Sequence, residues 1–256
     1  MSVILKNSGN VIQYTFPSGV ELIDEPHSVR ISTEERVHAH GGVIVSDEKI
    51  ASRMLIVHGI FKKASQALME TELKLIKKAC YAKNLRLYGT QNADEFYNIE
   101  CRSFDFGYLG MLTVAEVEIE FICVEGFRYY KDETTDTEDP VVSGTPYIVA
   151  NGGDVEISPI ITFTAGAGAD ISKIKIQNTT DSDKYFEYEP ASNLSSGDAV
   201  VIDCQNATCK LNTVDDIAHF SGAFIELQSG DNSITITITG TAGTSQLVFV
   251  FRKRYL

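Results

Sequence analysis

The chain has 256 residues, 43% of them hydrophobic and 22% charged, with Phe and Tyr but no Trp. That length accommodates one large or two ordinary domains, and it buries a sizeable core without disulfides or metals. The formal net charge is -13, from 35 acidic against 22 basic residues, about -7 before Pro140 and about -6 after it. Neither half carries the Lys/Arg surface that phosphate binding needs, so a sequence-specific nucleic-acid partner is not expected. The five cysteines, Cys80, Cys101, Cys123, Cys204 and Cys209, are an odd number without framework spacing. Met1–Asn10 lacks the apolar stretch of a signal peptide, and no apolar run approaches a membrane span. The expectation is a protein made in the cytoplasm with reduced thiols and no membrane partner, so that the sequons at Asn178, Asn193 and Asn206 are chance.

In chain order, Val11–Phe16 alternates and stops at the turn sequence Phe16-Pro-Ser-Gly19. Glu25–Ser46 is polar and poor in core candidates, with strand-like Arg36–His40 and Val43–Ser46 around Gly41-Gly42. It reads as a long hairpin or an arm, with Arg36, His38 and His40 as candidate contacts to a neighbour. Met54–His58 is a short apolar run. The period then changes: Leu68/Met69, Leu73, Ile76 and Ala79/Cys80 recur at helical steps, which predicts an amphipathic helix over about 64–83. Its acids lie early and its lysines late, as the helix dipole favours. Period two returns in Leu85–Tyr88, Phe96–Phe106 and the strand with Val117, Ile119, Phe121 and Cys123 on one face. Glu116, Glu118 and Glu120 occupy that strand's other, wet face. The first domain is expected over 1–130, and KDETTDTEDP, with five acids and one base, opens an acidic linker over 131–146.

Beyond it, over 147–256, no helical period occurs. Strands are predicted at Tyr147–Ala150, Val155–Phe163, Ile171–Ile176, Tyr185–Glu189, Ala199–Asp203, Thr208–Leu211, Ala223–Leu227, Ser233–Thr239 and Gln246–Phe251. Gly, Asn, Asp and Ser fill the turns between them, the pattern of a β-sandwich or barrel. Ser233–Thr239 alternates strictly and predicts a central strand with a buried Ile face.

Candidate chemistry is thin. His38 and His40 share a strand face and His58 could join them, but three or four metal ligands do not assemble at usable spacing. Cys204 and Cys209 have no second pair to complete a zinc ribbon. Gly166-Ala-Gly-Ala-Asp170 follows a strand but lacks Lys-Ser/Thr and a following helix, so it does not cradle phosphate. Asp215-Asp216 reads as turn chemistry rather than as a calcium ladder. Nucleophile, metal and paired-carboxylate motifs are missing, so neither an enzyme nor a cofactor is expected.

Asn151-Gly-Gly-Asp154, Ser158-Pro-Ile-Ile-Thr-Phe163, Ile174-x-Ile-x-Asn178, Val201-Ile-Asp203 and Phe224-Ile-Glu-Leu227-x-x-Gly230-x-Asn232-x-Ile234 follow one another as in the C-terminal domain of phage distal tail proteins. Arg53-Met-Leu-Ile-Val-His-Gly59, the single helix and Phe121-Ile-Cys-Val-Glu-Gly-Phe-Arg-Tyr-Tyr130 resemble that family's N-terminal pattern. Glu125-Gly126 stands where the family usually has Asp-Pro. The resemblance implies a mostly β fold: a tail-tube-like N-terminal domain with one helix, closing into a homohexameric ring, and a galectin-like C-terminal sandwich. It implies partners in the tail tube protein, the tail hub or receptor-binding proteins and the tape-measure protein, within the virion tail tip. In such a ring, Glu116, Glu118 and Glu120 are candidate channel-lining residues past which DNA slides without sticking. The alternative reading is a carbohydrate-binding sandwich using Tyr185 and Tyr188 as a sugar platform.

Overall fold

The computed structural model describes residues 3–24, 52–89 and 93–256, together with the backbone of 29–30, 33–35, 42–44 and 49–50. The chain divides into two compact units, one formed by Met1–Lys131 with Leu256 and the other by Asp132–Tyr255.

In the first unit the strands are β1 (Ile4–Asn7), β2 (Ile12–Thr15), β3 (Glu21–Asp24), β4 (Val29–Arg30), β5 (Thr33–Glu35), β6 (Gly42–Ile44), β7 (Lys49–Ile50) and β8 (Arg53–Lys62). After the helix α1 (Gln66–Cys80) come β9 (Leu85–Tyr88), β10 (Glu95–Tyr108), β11 (Val114–Cys123) and β12 (Arg128–Tyr130). The hydrogen-bonded order is β2-β1-β9-β10-β11-β8-β3. The 14-residue β10 belongs to two neighbourhoods. Its first half pairs with β9 and β12, and its second half pairs with β11.

The helix forms because Met69, Leu73, Ile76 and Cys80 repeat at steps of four and three and are all buried. Ser65 caps it, its side-chain oxygen accepting from the Leu68 amide at 3.4 Å. The inner face lies in one core with Leu55, Val57, Val117, Ile119 and Phe121. The strand alternation expected around Val117 holds: Ala115, Val117, Ile119, Phe121 and Cys123 are buried, while Glu116 and Glu118 are exposed.

The expected hairpin at Glu25–Ser46 is visible through its backbone. Asp24 pairs with Leu55 in β3–β8, and Val29 pairs with Ile50 in β4–β7 at the same step on both strands. β5 and β6 then pair from Thr33 opposite Ile44 to Glu35 opposite Gly42.

The second unit begins earlier than its composition suggests. Thr134–Glu138 is a strand, β13, pairing along its whole length with the last long strand of this unit, Thr134 opposite Phe251 and Glu138 opposite Leu247. The reading of 131–146 as a solvated linker is therefore corrected. The segment sits at a sheet edge, where backbone hydrogen bonds hold it and apolar side chains are not required.

The other strands are β14 (Pro146–Asn151), β15 (Ile160–Thr164), β16 (Asp170–Asn178), β17 (Lys184–Tyr188), β18 (Leu194–Ser195), β19 (Ala199–Asp203), β20 (Thr208–Leu211), β21 (Val214–Asp215), β22 (Phe220–Gly222), β23 (Gly230–Thr241) and β24 (Gln246–Phe251). They form two antiparallel sheets, β13-β24-β15-β19-β20-β21 and β14-β23-β16-β17-β22, with β18 on β16. One core fills the space between them, including Phe163, Ile174, Ile176, Phe186, Ile202, Ile234, Ile236 and Phe249. This is a β-sandwich, and the mostly β fold with one helix in its first part is the fold expected from sequence. Ser233–Thr239 lies within β23, an interior strand with Ile234 and Ile236 buried and Ile238 packed against the core's margin. Ala223–Leu227 differs from expectation: it is irregular, tied to the sandwich by the Ile157–Leu227 bridge and by asparagine side chains.

Candidate assembly surface

The acidic strand face is continuous across three strands of the first unit. Glu118 stands opposite His58 on β8 and opposite Asp105 on β10, while Glu120 stands opposite Ser103. Directly opposed residues share a face, so four carboxylates, Asp105, Glu116, Glu118 and Glu120, lie on one side of the sheet. Two side chains contact them: His58 Nε2 is 3.0 Å from Glu116, and the cationic Arg102 has Nε 3.9 Å from Glu120. The surplus charge is negative.

The opposite face carries a feature that the sequence pattern hid. Phe104, Phe106 and Tyr108 pair with Ile119, Val117 and Ala115, whose side chains are core. Among the described residues the second half of β10 pairs with β11 alone, however, and Phe106 is 49% and Tyr108 36% exposed. The three rings form a ladder with centroid spacings of 6.1 and 5.9 Å. At the tip Leu109, Met111 and Leu112 are also exposed, around a turn closed by the Leu109 amide on the Val114 carbonyl and by Gly110 at φ +70. A turn of this kind ordinarily carries polar residues. A contiguous apolar surface on such a projection marks a site of contact with another protein. The sequence signal was available in Phe104-x-Phe-x-Tyr108 running directly into Leu-Gly-Met-Leu.

Arg36, His38 and His40 lie outside the described residues. Tyr185 and Tyr188 do not make a shared platform. They are three apart in β17 and so face opposite sides of the sheet. Tyr188 is fully buried and its hydroxyl donates to Asp216, whereas Tyr185 is exposed with Lys175 Nζ 4.3 Å from its ring centre. A sugar-stacking surface needs both rings open, and the pairing is corrected on that ground.

The remaining candidates have structural partners. The Gly166 and Ala167 amides donate to Ser245 Oγ and Thr244 Oγ1, each at 3.1 Å, so this loop is closed onto its neighbour. A Cβ at Gly166 would collide with the Thr244 carbonyl, which is why glycine stands there. Cys204 and Cys209 are buried free thiols, and burial pushes both up to about 12. Among the described residues no three His, Cys, Asp or Glu side chains gather at metal-binding distance. No helix among them is long and apolar enough to cross a membrane.

The asparagines of the sequence pattern form a buried lattice. Asn178 Nδ2 donates to the Glu226 carbonyl at 2.8 Å and to Asn232 Oδ1 at 3.0 Å. Asn232 Oδ1 also accepts from the Gln228 amide, and its Nδ2 donates to the carbonyls of Gln228 and Gly230. Asn151 Nδ2 donates to Val155 and Leu227 carbonyls while its Oδ1 accepts from Gly153. These residues hold irregular backbone to the sandwich where strand pairing cannot.

Residues 152–255, this sandwich without β13 and β14, match the family described as siphovirus-type tail component, C-terminal domain. The C-terminal unit is a siphovirus-type tail component domain. Asn178 and Asn232, which the sequence reading singled out, lie within this matched stretch and hold the segment from Glu226 to Gln228 in place. Over the whole chain the fold matches the crystal structure of the Dit protein (gp 19.1) of phage SPP1, with TM-score 0.74, 16% identity and 99% of each chain covered. That protein is described as a paradigm of hub adsorption apparatus in Gram-positive infecting phages. A chain of the phage P2 baseplate in its activated conformation matches with TM-score 0.49 and 10% identity, over 98% of this chain and 97% of that one. No curated protein matches the chain. The resemblance to phage distal tail proteins read from the sequence is borne out by the family match over residues 152–255 and by the fold of the whole chain.

Proposed function

We propose that copies of this chain close into a homohexameric ring at the distal end of a phage tail tube. The ring joins the tube to the tail tip or baseplate and its receptor-binding apparatus. The observation that carries the reading is the tail component domain over residues 152–255, in a chain whose first unit offers an unpartnered apolar hairpin end. A ring is built from heterologous interfaces, in which one surface of each copy meets a different surface of the next. Phe106, Tyr108, Leu109, Met111 and Leu112 supply one such surface, because burying them against a neighbour removes apolar area from water. The β4–β7 segment is the arm that reaches an adjoining copy, with Arg36, His38 and His40 lying between β5 and β6 in the sequence.

Glu116, Glu118 and Glu120 line the bore in this arrangement, and Asp105 joins them. A negative wall repels the DNA phosphates that travel past it. The tail tube protein, the tail hub or receptor-binding proteins and the tape-measure protein are the neighbours. The chain acts by assembly rather than catalysis and resides in the virion.

Light scattering of the purified full-length chain tests the interface directly. Phe106→Asp and Met111→Asp are expected to shift the protein from ring-sized particles to smaller species, with circular dichroism showing that each variant stays folded. Unchanged particle mass in the double variant would contradict the proposed surface.

A further inference from the structure

Two of the free cysteines lie together at the edge of a cleft. Cys80 is the last residue of α1 and is buried, at the end of the Met69, Leu73, Ile76 stripe. Cys101 is half-buried on β10, immediately before an irregularity in the strand. Cys101 pairs with Phe121 and Ser103 with Glu120, leaving Arg102 as an extra, bulged residue. Bulges break the alternation of a strand and re-aim its side chains. Here Cys101 rests partly against the core and partly in a cleft of about 330 Å³ whose lining includes Cys80, Tyr81, Ala82, Asn84, Glu100 and Cys101.

Both thiols line this cleft and lie close enough to interact. The Cys101 S–H donates to the Ser103 carbonyl at 3.5 Å. The Cys80 thiol, aided by the Tyr81 hydroxyl, holds Cys101 below the ordinary thiol range against the opposing effect of burial. Cys80, beside Cys101 and the more buried partner, is pushed up. The other three cysteines have no such arrangement: Cys123 is pushed up to about 11, and Cys204 and Cys209 to about 12, all chiefly by burial. Thiolate character and access together select which cysteine reacts. Both favour Cys101.

We infer that Cys80 and Cys101 form a reactive thiol pair that a low-molecular-weight disulfide converts into an intramolecular disulfide, tying the last turn of α1 to β10. The Cys101 thiolate attacks the reagent disulfide RSSR, forming Cys101–S–S–R and releasing one RS⁻. The Cys80 thiol then loses its proton and attacks the Cys101 sulfur, forming the Cys80–Cys101 bond and expelling the second RS⁻. Two protein thiols are oxidised, one reagent disulfide is reduced to two thiols, and the protons are taken up by the released thiolates. The inference stands on this local geometry and is independent of ring formation.

Oxidised glutathione is the probe, applied to the full-length protein and followed by intact mass and non-reducing peptide mapping. The wild type is expected to lose two hydrogens, retain no glutathione and give one cross-linked peptide joining Cys80 to Cys101. Cys80→Ala is expected to accumulate glutathione on Cys101, because the resolving thiol is gone. Cys101→Ser is expected to stay reduced, because the remaining Cys80 is buried and its thiol is pushed up. Circular dichroism establishes that each variant is folded, and the other single variant decides the matter if one is not. Wild-type protein that keeps glutathione, remains fully reduced or links any other cysteines would overturn the inference.

Discussion

Asn232→Ala is the most informative single change in the sandwich. The side chain is fully buried, and its Oδ1 accepts from the Gln228 amide at 2.8 Å and from Asn178 Nδ2 at 3.0 Å. Alanine removes the acceptor while leaving both donors in place, with little room for water in a closed core. Asn178 keeps its bond to the Glu226 carbonyl, so one of its two N–H groups is orphaned together with the Gln228 amide. Each buried donor left unmet costs about 1–3 kcal/mol, so two such donors cost about 2–6 kcal/mol. The loss is read from urea unfolding of the full-length chain, followed by far-ultraviolet circular dichroism. Asn232→Asp is expected to be worse at neutral pH, because it retains acceptors but turns a charge toward the carbonyls of Gln228 and Gly230. An alanine variant that loses less than about 1 kcal/mol would refute the view that this lattice carries the unmet donors.

Three further outcomes follow from the same physics. Ile234→Ala and Ile236→Ala should each cost about 2–5 kcal/mol in the same urea assay, with Ile238→Ala costing less and exposed Thr237→Ala near zero. Ser65→Ala should cost about 0.5 kcal/mol, the low end for an N-cap, because the bond it removes is long at 3.4 Å; thermal unfolding of the full-length chain checks this. Asp216 is held below its ordinary value of 3.8 chiefly by the Tyr188 hydroxyl, and Asp198 likewise by the Ser195 amide and Asn212. A carboxylate lowered in the folded state stabilises the fold above its unfolded pKa and loses that contribution as pH falls through its folded value. The melting temperature should therefore drop below about pH 4, and the combined Asp198→Asn and Asp216→Asn variant should show a flatter acid limb.

Much of the fold was legible because most strands have one wet face and one buried face. Leu85–Tyr88, Ala199–Asp203, Thr208–Leu211 and Gln246–Phe251 are read from alternation to the residue. β13 was not legible, since an edge strand of Thr, Asp and Glu has the composition of a linker and differs from one only in what its backbone meets. Ala223–Leu227 failed in the opposite sense: Ile225 and Leu227 are buried, but one bridge to Ile157 and side-chain amides, rather than a full ladder, hold its backbone.

The candidate surface divides in the same way. The wet position of Glu116 and Glu118 follows from period two alone. The exposed Phe106 and Tyr108 do not, because alternation places them on the core face and only the structure reveals that this half of β10 is flanked by β11 alone among the described strands. Tyr185 and Tyr188 were separable without coordinates, as an interval of three residues in a strand cannot put two rings on one side. The Asn178 and Asn232 signals read as turn chemistry, and their longer-range role depends on β16 and β23 lying side by side.

Electron microscopy of the purified chain, and of tail particles assembled with it, tests the ring most directly. Closed six-fold rings at the end of the tube, with Glu116, Glu118 and Glu120 facing the bore, are the expected result. A protein that stays monomeric at every concentration and never joins the tube end would contradict it.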